Sequence, residues 1–166
     1  MRKRLTLLFR TAIRSLPTGL FLALAGALMA PSVHAQIPDH PAIRDSVRTV
    51  LARQEAAWNR GDLEAFMAGY ARTDTLRFAS GGTVRTGWTE TLARYRRSYP
   101  DTTAMGTLSF GSLDLTVLSP RWVLAFGRWR LQRAKDAPRG LFTLLLHRPT
   151  RNASWRIVHD HTSSAR

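Results

Sequence analysis

Between Pro41 and Arg60 the apolar residues Ile43, Val47, Val50, Leu51, Ala57 and Trp58 recur at intervals of three and four, which is the period of one helix face. Gly61 then supplies the left-handed residue on which helices often end. Asp62 follows at once and can accept from the free amides of a second helix running to about Tyr70. Leu63, Phe66, Met67 and Tyr70 give that helix its apolar side. The pattern becomes strand-like at 75–80, Gly81-Gly82 makes a turn, and a short strand follows at 83–85. Trp88, Leu92, Tyr95 and Tyr99 put one face of a third helix toward a core, with Arg94, Arg96 and Arg97 on its other sides and Pro100 ending it. Strand patterns fill the rest, at 106–118, 122–133, 140–148 and 154–162, with turn residues between them. Long strands in succession joined by short turns predict an antiparallel meander.

The first 35 residues stand apart. Arg2, Lys3, Arg4, Arg10 and Arg14 precede an apolar run from Leu20 to Met29, and Val33-His34-Ala35 resembles a cleavage site. This is the pattern of a secretory signal peptide cut after Ala35, and it predicts a secreted chain, in the periplasm of a bacterium. The run is shorter than the roughly 20 apolar residues that a spanning helix needs, so no membrane association is expected once the leader is removed. Residues 36–42, with two prolines, read as an exposed lead-in, and 43–166 as one domain. No cysteine occurs, which removes disulfide, thiolate and zinc–cysteine chemistry and leaves the core alone to hold the fold. Taking the five leader cations from 25 leaves 20 basic residues against 11 acidic ones, a net charge of +9. These arginines are scattered singly, whereas a nucleic-acid binder clusters them on one face. No nucleic-acid partner is expected.

Candidate chemistry concentrates in the last strand. In an unbroken strand Trp155, Ile157, His159 and His161 share one face, and Arg156, Val158, Asp160 and Thr162 the other. If Trp155 and Ile157 face the interior, both imidazoles face it too, as acid/base groups or anion contacts. The same pair could instead bond neighbouring backbone and close the sheet edge. His147 is the only other histidine in a predicted strand, too few ligands for a metal site, so neither a metal nor a cofactor is expected. Asp74 is a further acid candidate, although an aspartate just before a strand commonly caps or pairs locally. The strand from Trp122 carries large residues on both faces. Trp122, Leu124 and Phe126 lie on one face and Val123, Trp129 and Leu131 on the other; one face should line the interior, and the other calls for a second copy to cover it. Arg128 and Arg130 extend the face of Trp122, Leu124 and Phe126, and an inward arginine there would favour a carboxylate or phosphate on a ligand.

Two segments carry a resemblance: Ala57-Trp58-Asn59-Arg60-Gly61-Asp62 at the helix corner, and Trp155-Arg156-Ile157-Val158-His159-Asp160-His161-Thr162-Ser163 at the end. From about Ile43 to Ser164 the chain resembles the nuclear transport factor 2-like superfamily, in particular its SnoaL-like branch. The resemblance implies an α+β fold: three N-terminal helices packed on a strongly curved antiparallel sheet of about six strands, forming a cone with a pocket. It also implies a homodimer through the outer sheet face. In such a cone Trp58, Tyr70, Phe78 and Trp88 would converge on the cavity from the helical side, with Arg128, His159 and His161 from the sheet, although the spacing of these aromatics equally suits a core. The expected function is a small, partly apolar ligand held in that pocket. One alternative is a SnoaL-like isomerase, cyclase or hydrolase using His159 or His161 as acid/base, with Asp74 as a further candidate. Another is a dimeric association module without catalysis, since the ending His159-Asp160-His161-Thr162-Ser163 is also similar to the association domain of calcium/calmodulin-dependent kinases. Against the ketosteroid isomerases, Ala79 falls near the position of the base and Gln54 near that of the oxyanion-binding tyrosine, so that route to isomerisation is not expected.

Overall fold

The computed structural model describes residues 40–165. The signal peptide with its cut after Ala35, and the lead-in as far as residue 39, lie outside the described residues. Helix α1 (Pro41–Asn59) opens on a proline, whose missing N–H costs nothing in the first turn. It buries Ile43, Val47, Leu51, Gln54, Ala57 and Trp58. Gly61 turns the chain at φ +78°, and Asp62 Oδ1 accepts from the Ala65 amide at 2.9 Å to start α2 (Leu63–Met67). Strands β1 (Arg77–Ser80) and β2 (Thr83–Thr86) form a hairpin across Gly81 and Gly82, both at positive φ. Helix α3 (Trp88–Ser98) follows, burying Trp88, Thr91, Leu92 and Tyr95.

Four helices are present among the described residues, not three. The extra one, α4 (Thr102–Met105), is a single turn whose first amides are met by Asp101 Oδ1 accepting from Ala104 N at 2.8 Å. One turn is too short to show a periodic apolar stripe, so its sequence carries only the cap. The four strands β3 (Thr107–Ser119), β4 (Trp122–Gln132), β5 (Arg139–His147) and β6 (Arg156–Thr162) form the expected antiparallel meander.

The six-stranded sheet has the order β2-β1-β6-β5-β4-β3. It is mixed, which corrects the expectation of an antiparallel sheet, because β1 pairs with β6 in parallel, Arg77 opposite His159 and Ser80 opposite Thr162. Turns dictate the pairing of consecutive strands only. The first and last segments meet through tertiary packing, and no local signal sets their direction. Just before β1 the chain already docks on β6: Ile157 N–H donates to Gly69 O at 2.9 Å, and Ala71 N–H donates to Ile157 O at 2.8 Å. The helices and the inward sheet face share one core, which includes Val47, Trp58, Met67, Leu76, Val123, Leu146 and Ile157.

Candidate functional site

A cavity of about 130 Å³ lies between the helices and the inward sheet face. Its wall is largely aromatic. Trp58 from α1, Phe66 from α2, Tyr70 after it, Phe78 from β1, Tyr95 and Tyr99 from α3, and Phe110 and Phe142 from the sheet all contribute. The rings meet mostly edge to face, with centroids 5.1 Å apart for Trp58–Phe66, 4.8 Å for Trp58–Tyr99 and 5.3 Å for Phe66–Tyr95. That geometry suits the ring quadrupoles. All three tyrosines of the chain line this space.

Of the aromatics expected there, the structure brings Trp58, Tyr70 and Phe78 to the wall. Trp88 packs elsewhere. Its indole N–H donates to Met67 O at 2.9 Å, and the Arg72 guanidinium lies 4.6 Å above its ring. Gln54 borders the cavity but turns its amide to Phe66 O at 3.1 Å. Asp74 is exposed in the loop before β1, away from the wall.

Asp160 is the polar centre. Its carboxylate accepts at Oδ2 from the Tyr70 hydroxyl at 2.8 Å and at Oδ1 from Thr162 Oγ1 at 2.7 Å. Burial pushes its pKa up from 3.8 to about 6; the bonds from Thr162 and Tyr70 pull the other way, as do the charges of Arg94 and His161. Desolvation wins because two neutral donors and a partly exposed cation replace bulk water poorly. Burial, and then the Asp160 charge, raise the pKa of both Tyr70 and Tyr95, which keeps their hydroxyls protonated. Arg94 was expected on an outer side of α3. Instead its guanidinium sits 4.9 Å from the Phe78 ring centroid and 5.5 Å from that of Tyr95, on the cavity wall.

The two histidines stand on the opposite face, which corrects the expectation that they share the side of Trp155 and Ile157. The reason is a β-bulge. On β5 the neighbours Leu145 and Leu146 pair with His159 and Ile157, leaving Val158 as an extra residue in β6. One extra residue exchanges the faces of everything beyond it. Trp155 and Ile157 therefore point inward, as do Asp160 and Thr162 after the bulge, while His161 is exposed and His159 half-buried on the outer face. There His159 lies opposite Arg77, and partial burial, His161 and Arg77 together lower its pKa. Arg128 is likewise on the outer face: Val123, Ala125, Gly127 and Leu131 are the buried residues of β4, and Leu124, Phe126 and Arg128 alternate with the first three. Alternation read from the sequence found the two faces of β6 but not the position where they exchange. Asp160 between two histidines gave no sign of being the buried member.

Among the described residues no group of three His, Asp or Glu side chains is arranged to hold a metal ion. No described helix is long and apolar enough to cross a membrane.

The fold agrees with the comparisons. The chain belongs to the NTF2-like family: it is 43% identical to an NTF2-like protein of unknown function from Shewanella oneidensis, over 73% of this chain and 98% of that one, with a TM-score of 0.69. More distant structures share the fold alone. One is an NTF2-like protein of unknown function from Pseudomonas putida, 18% identical over 76% of this chain and 89% of its own, TM-score 0.62. Another is a ketosteroid isomerase-like protein from Erwinia carotovora atroseptica, 16% identical over 74% and 95%, TM-score 0.55. No family model and no curated protein matches the chain.

Proposed function

We propose that this is a ligand-binding NTF2-like domain of SnoaL-like type, whose cavity takes a small, partly apolar molecule with its polar end against Asp160. The observation that carries this reading is a buried carboxylate on a largely aromatic wall, bonded to Tyr70 and Thr162 with capacity left for further donors. The volume sets the scale. An engineered apolar cavity of about 150 Å³ accepts benzene, so about 130 Å³ suits a body of one small ring. A hydroxyl or amine on that ring would donate to Asp160.

The same group favours an enzymatic reading over a purely passive one. An acid with a pKa of about 6 is mostly ionised at neutral pH yet easily protonated, the condition that suits a general base or acid. Tyr70, held protonated beside it, donates to Asp160 Oδ2 and so orients the carboxylate towards a ligand. With His159 and His161 on the outer face, the acid/base role passes to Asp160.

A thermal-shift screen of the mature chain against single-ring alcohols, amines and carbonyl compounds tests binding. Stabilising compounds should lose their effect in Leu144→Phe, which fills the cavity from the β5 side. Compounds that stabilise the filled variant equally would exclude the cavity as their site. Turnover of any hit, present in the wild type and absent in Asp160→Asn, would separate enzyme from binder.

The leader and the outer face support two further parts of the proposal. The chain is exported to the periplasm, which N-terminal sequencing of periplasmic material beginning at Gln36 would test. It pairs with a second copy through the outer sheet face, where Leu118, Leu124 and Phe126 are exposed. Sedimentation of the mature chain would test the pairing.

A further inference from the structure

One end of the sheet carries a groove of about 490 Å³, bordered by Ser109, Arg128, Arg130, Arg139, Leu141 and Ser163 among others. Arg130 on β4 lies directly opposite Arg139 on β5 in the antiparallel register. Arg128 stands two residues before Arg130 and therefore on the same face. Residues directly opposite each other in such a ladder have Cβ atoms about 5 Å apart, and like charges placed so are destabilising. Alternate residues of one strand are about 7 Å apart. Three guanidinium stems thus rise within a span of one small molecule.

Among the described residues Arg128 and Arg139 form no ion pair, and Arg130 bonds only the neutral Gln132 side chain, at 2.8 Å. Asp136, the acid of the β4–β5 connection, is engaged by Arg133. Asp114 stands opposite Phe126 and pairs with none of the three. The chain beyond β6 walls the groove: Ser163 N–H donates to Leu141 O and Ala165 N–H to Arg139 O, and the Trp129 indole donates to Ser163 O at 3.0 Å. A like-charge pair fixed by the ladder, with a third cation alongside and no ion pair to any of the three among the described residues, favours a bound anion.

We propose that this groove binds a compact polyanion, of the kind formed by two adjacent phosphate groups, through Arg128, Arg130 and Arg139. A guanidinium offers paired donors to phosphate oxygens, and two or three of them select clustered charge over a single anion. The site is separate from Asp160 and does not depend on the cavity being a ligand site. The same oxygens occur on a soluble diphosphate and on the headgroups of anionic lipids.

The test uses the mature chain with inorganic pyrophosphate and with phosphatidylglycerol vesicles. Ligand bound only by the folded state raises the thermal midpoint, so pyrophosphate should raise it above that in sodium chloride of equal ionic strength, and calorimetry should give saturable binding. In the double variant Arg130→Gln, Arg139→Gln the affinity should fall at least tenfold. Its midpoint at low salt should equal or exceed that of the wild type, because the repulsion is gone and the fold is intact. Co-sedimentation with phosphatidylglycerol but not phosphatidylcholine vesicles, lost in the double variant, would assign the groove to a lipid headgroup; pyrophosphate binding without co-sedimentation assigns it to a soluble ligand. The proposal is overturned if neither probe binds more than matched salt predicts, or if the double variant binds both as the wild type does.

Discussion

The Tyr70 hydroxyl donates to Oδ2 of Asp160 at 2.8 Å, joining the end of the helical corner to the last strand inside the cavity. Tyr70 is held there by the backbone bonds of Gly69 and Ala71 to Ile157, one residue before the bulge that turns Asp160 inward. The same short stretch of contacts therefore sets both the position of the donor and the face of the acceptor.

Asp160 makes stability depend on pH with a definite sign. Its folded-state pKa of about 6 lies above the value of 3.8 for the free group, so the native state holds the proton more tightly than the unfolded one. Its contribution is fully present below about pH 4 and is lost as pH rises through about 6. The difference corresponds to roughly 3 kcal/mol. Asp160→Asn cannot ionise and keeps an acceptor for Tyr70. Denaturant unfolding should find it more stable than the wild type at pH 8, by up to about 3 kcal/mol, with the gap closing toward pH 4.

Removing the other partner acts oppositely. Tyr70→Phe takes a donor from a buried carboxylate, a bond of the class worth about 1.5–3 kcal/mol. Unfolding at pH 8 should show a loss of that order, and a smaller one at pH 4 where Asp160 is protonated. The pKa of Asp160 should rise further, since the Tyr70 bond is one of the influences holding it down.

Gly127 shapes the cavity from below. A Cβ at this position would come within 2.5 Å of the Phe142 ring, which lines the cavity. Gly127→Ala should push that ring toward the open space and cost about 1–3 kcal/mol, the usual penalty for overfilling a packed site. Any ligand found in the thermal-shift screen should bind this variant at least tenfold more weakly, as titration calorimetry would read.

Histidine replacement separates the two faces of β6. His159→Ala and His161→Ala alter groups outside the cavity wall, and a cavity ligand should keep its affinity within about twofold, well under the 1.4 kcal/mol of a tenfold change. Loss of binding in either variant, with binding kept in Asp160→Asn, would transfer the site to the outer face.

Much of the fold was legible because its signals are local. The stripe of α1, the Gly61-Asp62 corner, the Gly81-Gly82 turn and the four-strand meander all rest on residues a few positions apart. What escaped was non-local. The parallel pairing of β1 with β6 joins segments about 80 residues apart, and no turn encodes it. The bulge at Val158 arises because β6 must satisfy Leu145 and Leu146 on one side and the Gly69–Ala71 segment on the other; a valine in a strand gives no sign of it. Hence Trp58, Tyr70 and Phe78 were found from their elements, whereas Asp160 was read on the wrong face and His159 and His161 took its place. Arg94 was missed for a related reason: a charged residue on a helix reads as solvated until aromatic rings are seen beneath its guanidinium.

The central claim is that Asp160, not the histidine pair, is the chemically poised group of this domain. Carbon-13 NMR titration of the Asp160 carboxyl in the mature chain, assigned through Asp160→Asn, tests it directly. The account predicts a midpoint near pH 6 that moves upward in Tyr70→Phe. A midpoint close to 4, unmoved by that substitution, would contradict it.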